Sequence, residues 1–339
     1  MSDITGLILL PHLRVQNANA ISGPLSWGFP SPTAFTGFAH ALTRKLADRI
    51  EHDVAGIGIV CHRFEPQVAQ PAGARHHIFC LTRNPINKDG GAPSIAEEGR
   101  AHLEVSLLLA LREHCSAATG QYLAEDCLHA AYGMRLAGGS PLYRQGLRHQ
   151  ASWHPLAGTE AEDAQTFRKL RRRLLPGFAL VQRDDLLATH LAEMRDARPG
   201  STTLDALLDI TRRNIEPTLI PATEATPLAA TEWKTRHKPG WIVPLPVGYA
   251  GISPLYPPGV VANTRDAQTP FRFVESLYSL GQWISPHRLR TLEQMLWTQE
   301  SDPENGLYRC RNRYPESLTA SFSDTLIESP QLTQEKNHA

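Results

Sequence analysis

The sequence has no cysteine pair in CxxC spacing. Its five cysteines, Cys61, Cys80, Cys115, Cys127 and Cys310, make an odd number. Both facts argue against a zinc ribbon and against a disulfide framework. They read as free thiols of a reducing cytosol, most of them small buried hydrophobes. There is no apolar run of about 18 residues, the length a membrane helix needs. The opening MSDITGLILLPHL has no basic n-region and no small-residue cleavage site, so it reads as carrying no signal peptide. Net charge is also lacking, because 34 Lys and Arg balance 34 Asp and Glu. That counts against a generic nucleic-acid coat protein. It leaves a local basic groove open, since phosphate contacts depend on local potential.

Catalytic and cofactor signatures are missing too. The chain opens strand–loop–helix, yet the loop has neither GxGxxG nor GxxxxGK[ST]. Gly23 and Gly28 stand five apart beside prolines, which is not a phosphate cradle. There is no HExxH and no close His/Cys/Asp cluster among the 15 histidines. His76 and His77 are adjacent, so on a strand they point to opposite faces. No GxSxG nucleophile elbow occurs. The expectation is a chain with no cofactor and no bound metal.

What is present is a readable order of elements. A chain of 339 residues is long for one domain and short for three. Ile4–Leu10 reads as a buried strand bounded by Pro11. Asn17–Pro32, NANAISGPLSWGFPSP, reads as an irregular loop. Thr33–Ile50 carries Phe35, Phe38, Leu42, Leu46 and Ile50 at helical spacing. Val54–Val60 and His76–Thr82 read as strands. Ala96–Cys115 reads as a helix from Leu103, Leu107 and Leu111, one turn apart. Cys127–Leu136 reads as a strand ending at Gly138-Gly139. The predicted class is α+β, in the β-α-β-β-α-β order of the ferredoxin-like or RRM-like fold, over residues 1–150. Residues 151–232 read as a helical, basic insertion and linker. It contains TFRKLRRRLL (166–175) and a Pro/Thr/Ala-rich linker, Pro217–Thr231. Residues 233–314 read as a β-rich part packing on the first domain. Residues 315–339 read as a polar, mobile tail.

RNA binding has the most support among the residues. Arg14, Gln16, Asn17 and Asn19 form a run of donors and acceptors suited to phosphates and base edges. Trp27 and Phe29 are candidate stacking platforms. Gly138 and Gly139 would let backbone approach a phosphate closely, with Arg135 just before them. Positive charge comes from Arg168, Arg171, Arg172 and Arg173, which could equally meet a protein, and from Arg236, Lys238, Arg265, Arg272 and Arg288. The rival is a metal-independent endoribonuclease of the same fold, with His40 or His12 as general acid or base.

Several blocks carry a family resemblance. QNANAISGPLSWGFPSPTAFTGFAHAL (16–42), YGMRLAGGS (132–140), GWIVPLPVGYAGISPLYPPG (240–259) and RDAQTPFRFVESLYSLGQWISPHRL (265–289) span nearly the whole chain. They resemble the subunit of the type I-F CRISPR surveillance complex, the Csy complex, that holds the 5′ handle of the guide RNA. The resemblance implies a repeat-associated RNA-binding protein fold with a thumb-like extension. It implies a heterodimer with the large subunit and contact with the adjacent backbone subunit. Target DNA would be met only within the assembled complex, in the bacterial cytoplasm and without a membrane. Guide processing belongs to a separate endoribonuclease, so this subunit would be non-catalytic. The 17–32 segment would then be a shaped loop, anchored by Ile21, Leu25 and Trp27, offering Gln16, Asn17 and Asn19 to single-stranded RNA.

Overall fold

The first strand, β1 (Gly6–Asn19), does not stop at Pro11. The chain passes the proline by a bulge at His12, whose φ is 49°, and a second bulge follows at Asn17, with φ 57°. Each shifts the register against the neighbouring strand by one step. Arg14, Gln16, Asn17 and Asn19 therefore lie within β1 and do not leave it. The computed structural model describes residues 4–318 apart from 52–53, 75, 83–85, 88, 94, 213, 222–229 and 237–239.

Helix α1 (Pro32–Lys45) begins as its sequence predicts. Ser31 caps it through the Thr33 amide, Pro32 opens it, and Phe35, Phe38, Ala39 and Leu42 are buried. Strand β2 (Gly56–Pro66) follows. The predicted strand at His76–Thr82 is only two short ribbon pieces, Ile78–Phe79 and Leu81–Thr82, outside the main sheet.

Two predicted elements exchange type. The expected helix at Ala96–Cys115 is strand β3 (Arg100–Leu111). The four-residue leucine spacing is one helical turn, but it is also twice the strand period, and Val105 and Leu109 fill the gaps. Leu103, Val105, Leu107, Leu109 and Leu111 all enter one core. The expected strand at Cys127–Leu136 is instead the end of helix α2 (Ala117–Tyr132), capped by Ser116. Its buried face, Gly120, Leu123, Ala124, Cys127, Ala130 and Ala131, is made of small residues that give little hydrophobic signal.

Strands β4 (Ser140–Leu142) and β5 (Ser152–Pro155) both pair antiparallel with β1. Helix α3 (Glu160–Arg173), strand β6 (Phe178–Gln182) and helices α4 (Asp184–Ala197) and α5 (Thr203–Thr211) come next. The expected linker Pro217–Thr231 belongs in part to an exposed two-stranded ribbon, Ile215–Ile220 with Ala230–Thr235. The predicted β-rich region supplies β7 (Ile242–Gly251), β8 (Val274–Ile284), β9 (Leu296–Asp302) and β10 (Leu307–Asn312). Most of the predicted tail lies outside the described residues.

The ten main strands form one sheet, in the order β6-β8-β7-β10-β9-β2-β3-β1-β4, with β5 beside the other half of β1. Strand β6 also pairs with β2 at Val60 and Cys61. The path β2-β6-β8-β7-β10-β9 thus closes into a ring. Trp297 sits inside, fully buried, and its indole N–H donates to the Leu180 carbonyl at 2.8 Å. Helices α1 and α2 cover one face of β1, β2 and β3. On the other face α3 covers only part: Phe167, Leu170 and Leu174 pack on Leu7, Leu9, Val60, Leu108 and Ala110. On the rest of that face the short 3-10 turn Leu147–His149 packs on β1, with Arg148 3.9 Å from Glu104, and among the described residues no α-helix covers it. Among the described residues no helix is long and apolar enough to cross a membrane.

Candidate nucleic-acid interface

The uncovered part of the sheet face is polar. Arg14 on β1, Glu104 on β3 and Arg63 on β2 stand side by side across three strands. With Gln16, Glu65 and His102 they line a shallow cavity of about 120 Å³. The Arg14 side chain makes no hydrogen bond or ion pair among the described residues, although its backbone is paired in the sheet. Arg63 pairs with Glu65 at 3.0 Å, both being more than half exposed. Such a pair is worth little and is easily exchanged for a phosphate.

At the inner end of this strip four polar side chains enclose each other. The backbone N–H of His12 donates to Ser106 Oγ at 3.0 Å. His62 Nδ1 donates to the Pro176 carbonyl at 2.6 Å, which leaves Nε2 to accept from the Ser106 hydroxyl at 2.7 Å. His12 Nδ1 donates to Glu104 at 2.8 Å, and its ring lies 4.0 Å from that of His62. Burial holds His12 down to about 4, helped by His62 and opposed by Glu104; burial also lowers His62. Both rings are neutral near pH 7. His40 lies on α1, on the opposite face of the sheet. The structure does not bring the two candidate acid–base histidines together.

The loop after β1 is built differently from expectation. Ile21, Leu25 and Trp27 do not anchor it; they are 41%, 54% and 52% exposed. Phe29 does, stacked on Phe35 with centroids 5.4 Å apart and edge-on to Trp283 at 4.9 Å. Bonds from the Leu25 amide to Tyr278 and from Ser31 to the Pro246 carbonyl tie the loop to β7 and β8. The bulge breaks the alternation that would put Asn17 and Asn19 on one side. Asn17 accepts from Gln67 at 2.6 Å, and its N–H donates to His102. Asn19 both donates to and accepts from the backbone of Ile21. Gly139 has a structural duty: a Cβ there would lie 2.7 Å from the Gln16 carbonyl. Gly138, at φ +76°, faces open space, and exposed Arg135 donates to Ser140.

The basic residues divide. Arg171 donates to the carbonyls of His287 and Leu289 and lies over the Phe167 ring. Arg173 donates to Ser152 at 2.6 Å. Arg272 braces the Pro303 and Glu304 carbonyls. Arg236 lies 3.9 Å from Glu216 at the base of the exposed ribbon. Arg168, Arg172, Arg265 and Arg288 are exposed. Lys238 lies outside the described residues. Arg171→Ala should therefore lower the melting temperature by several degrees, losing packing and two carbonyl partners. Arg168→Glu with Arg172→Glu should leave it within about 2 °C, because surface changes are usually near-neutral. Equal melting of the two variants would refute this division.

The model of the CRISPR-associated protein (Cas_Csy2) family matches residues 8–310. The chain belongs to that family. It is 52% identical over 317 residues to CRISPR-associated protein Csy2 of Pseudomonas aeruginosa (strain UCBPP-PA14), covering 91% of this chain and 96% of the relative. The type I-F Csy resemblance read from the sequence is borne out. In this Csy2 family member sequence reasoning found Arg14 and Gln16 but passed over Arg63, His102 and Glu104. Their signal was present in the alternation of CHRFEP (61–66) and RAHLEVS (100–106). A helical reading of the second segment hides that alternation.

Proposed function

We propose that this chain is the non-catalytic CRISPR RNA-binding subunit of a type I-F Csy complex in the bacterial cytoplasm. It holds the 5′ handle of the guide, pairs with the large subunit and caps the backbone filament for antiviral targeting of DNA. The single observation that carries the reading is the uncovered strip of sheet bearing Arg14, Gln16, Arg63 and His102. RRM-type folds meet single-stranded RNA on an open sheet face, and here that face offers the Arg14 and Arg63 guanidinium groups for its phosphates.

The strand order β4-β1-β3-β2, with α1 and α2 on one face, supports assigning the first 150 residues to the ferredoxin-like fold. We keep 151–232 as the insertion and 233–314 as the β-rich part. The exposed ribbon is our candidate for the thumb-like extension toward the adjacent backbone subunit. Ile215, Leu219, Ile220 and Trp233 are all exposed on it, an arrangement that suits burial by a partner. The endoribonuclease reading gains no observation in its favour, since His12 is enclosed and His40 is across the sheet.

Co-purification with a tagged large subunit, followed by sequencing of bound RNA, tests the proposal. The expected product is guide RNA with a protected repeat-derived 5′ end; a complex without RNA would refute it. Incubation with repeat RNA in EDTA should leave that RNA intact, and cleavage would restore the nuclease reading. Arg14→Glu should weaken RNA binding and lower the slope of log affinity against log salt by about 1. An unchanged slope would remove the strip from the interface.

A further inference from the structure

Next to the polar strip, across Arg63, lies a second cavity of about 430 Å³. It forms where the loop after β1 meets β2, β6, β7 and β8. Six aromatic rings line it: Trp27, Phe29, Phe64, Phe178, Trp241 and Trp283. Three of them are left largely open, with Trp241 58%, Trp27 52% and Phe178 44% exposed. Their rings stand at steep angles to one another. Trp241 meets Phe178 at 5.6 Å and 67°, and Trp283 meets Phe29 at 4.9 Å and 87°. Trp241 and Trp283 lie 6.3 Å apart. The result is a box of ring faces and edges, not a packed core.

The polar lining limits what can enter. Both His62 nitrogens are already bonded, to Pro176 and Ser106. Burial pushes the Cys61 thiol up to about 12, so it is a neutral group here. The deep wall is Leu180, Val243, Pro244 and Leu245. Among the described residues the one charged side chain in the lining is Arg63, which also lines the polar strip. A fitting ligand is flat, aromatic and uncharged in its buried part, and carries an anion at the edge that Arg63 holds. The volume falls in the range of small-molecule sites.

We propose that this box takes one nucleobase turned out of the bound RNA, with its phosphate at Arg63. The inference rests on the RNA-binding reading above and names where that reading has a base-specific grip. Unstacked bases inserted among aromatic rings are the usual mode of single-strand recognition. Each base so stacked is worth roughly 1–3 kcal/mol by alanine substitution, or about 5- to 150-fold in affinity.

The test uses the full-length chain and synthetic single-stranded RNA carrying the repeat of its own CRISPR locus. Each position is replaced in turn by an abasic nucleotide, and affinities are measured for wild type, Trp241→Ala and Trp241→Phe. Trp241 is exposed enough for both variants to melt like wild type, which is checked. The expected result is one position whose base removal weakens wild type at least 5-fold. Trp241→Ala weakens intact RNA by a similar factor, and the abasic change then adds little. Trp241→Phe restores most of the loss. If RNA binds but the abasic profile is the same in Trp241→Ala as in wild type, the base-box assignment is overturned while the RNA-binding reading stands. The same holds if Trp241→Ala instead weakens capture by the large subunit, which would make the occupant a protein side chain. If wild type binds no RNA at all, both readings fall.

Discussion

Replacing Asn312 by alanine should cost about 4 kcal/mol of stability, among the largest effects of any single polar change in this chain. Asn312 is 3% exposed and lies at the end of β10, from which it reaches across to β6. Its side-chain oxygen accepts from the backbone N–H of Gln182 on β6 at 3.1 Å and from that of Tyr314 at 3.2 Å. Its amide donates to the carbonyls of Gln294 at 3.0 Å and Leu296 at 2.9 Å. Gln182 returns the contact by accepting from the Asn312 backbone at 2.9 Å. One short side chain thus serves backbone groups of β6, of the segment entering β9 and of the chain just past β10, and β6 and β10 share no ladder. Alanine would leave several of them buried without partners, at about 1–3 kcal/mol each. Some relief from entering water brings the sum near 4. The melting temperature should fall by roughly 10 °C. Asn312→Asp should be no better: it keeps the acceptor, turns two donors into a repelled charge facing carbonyls, and buries that charge. A drop below 2 °C for the alanine variant would show that water replaces the amide and that the ring does not depend on it.

The legible parts of this chain are those where one period dominates. Helix α1 announces itself by Ser31, Pro32 and aromatic residues at helical spacing. The C-terminal strands do so by their aromatic, prolyl and glycyl content. Strand β3 misleads because it is covered differently along its length. Its first half alternates, with His102, Glu104 and Ser106 facing away from the core. Its second half is apolar throughout because α3 packs on the far side. A continuous leucine run fits a doubly covered strand and a buried helix equally well. The error then spread to the site, because reading β3 as helix hid the open face on which His102 and Glu104 lie beside Arg14 and Arg63. The loop shows the opposite limit. Trp27 and Phe29 look alike in sequence, and only the fold sends Phe29 into the core and leaves Trp27 at a cavity mouth. The divided basic cluster is similar, since helical phase about α3 decides which arginines meet carbonyls and which meet solvent.

Stability should be lost steeply as the pH falls from about 6.5 to 4, and buried neutral histidines are the cause. His12 is held down to about 4 by burial and by His62. His154 is held down to about 4 by burial and by Arg173, whose guanidinium lies 3.4 Å from its ring. His62 is lowered as well. An unfolded chain protonates histidine near pH 6.5. Above that pH both states are neutral and the stabilisation is present in full. As the pH falls, the unfolded chain takes protons that the folded chain refuses. The equilibrium therefore shifts toward unfolding until the folded histidines titrate at about 4. At 1.36 kcal/mol per unit, His12 and His154 would each contribute a loss on the order of 3 kcal/mol. That total is a large share of the stability of an ordinary domain. The chemistry agrees with the sign. A proton on His62 Nε2 would break the bond it accepts from Ser106, and a proton on His154 would face Arg173. Glu104 beside His12 works the other way, and it softens the shift without reversing it. Melting temperatures between pH 7.5 and 4.5 test this in wild type, His154→Gln and His12→Asn. Asparagine is chosen at position 12 because it tolerates the left-handed backbone there. Each variant should lose less stability across the range than wild type, whatever its stability at pH 7.5. Slopes identical to wild type in both variants would assign the acid loss to other groups and sink the argument.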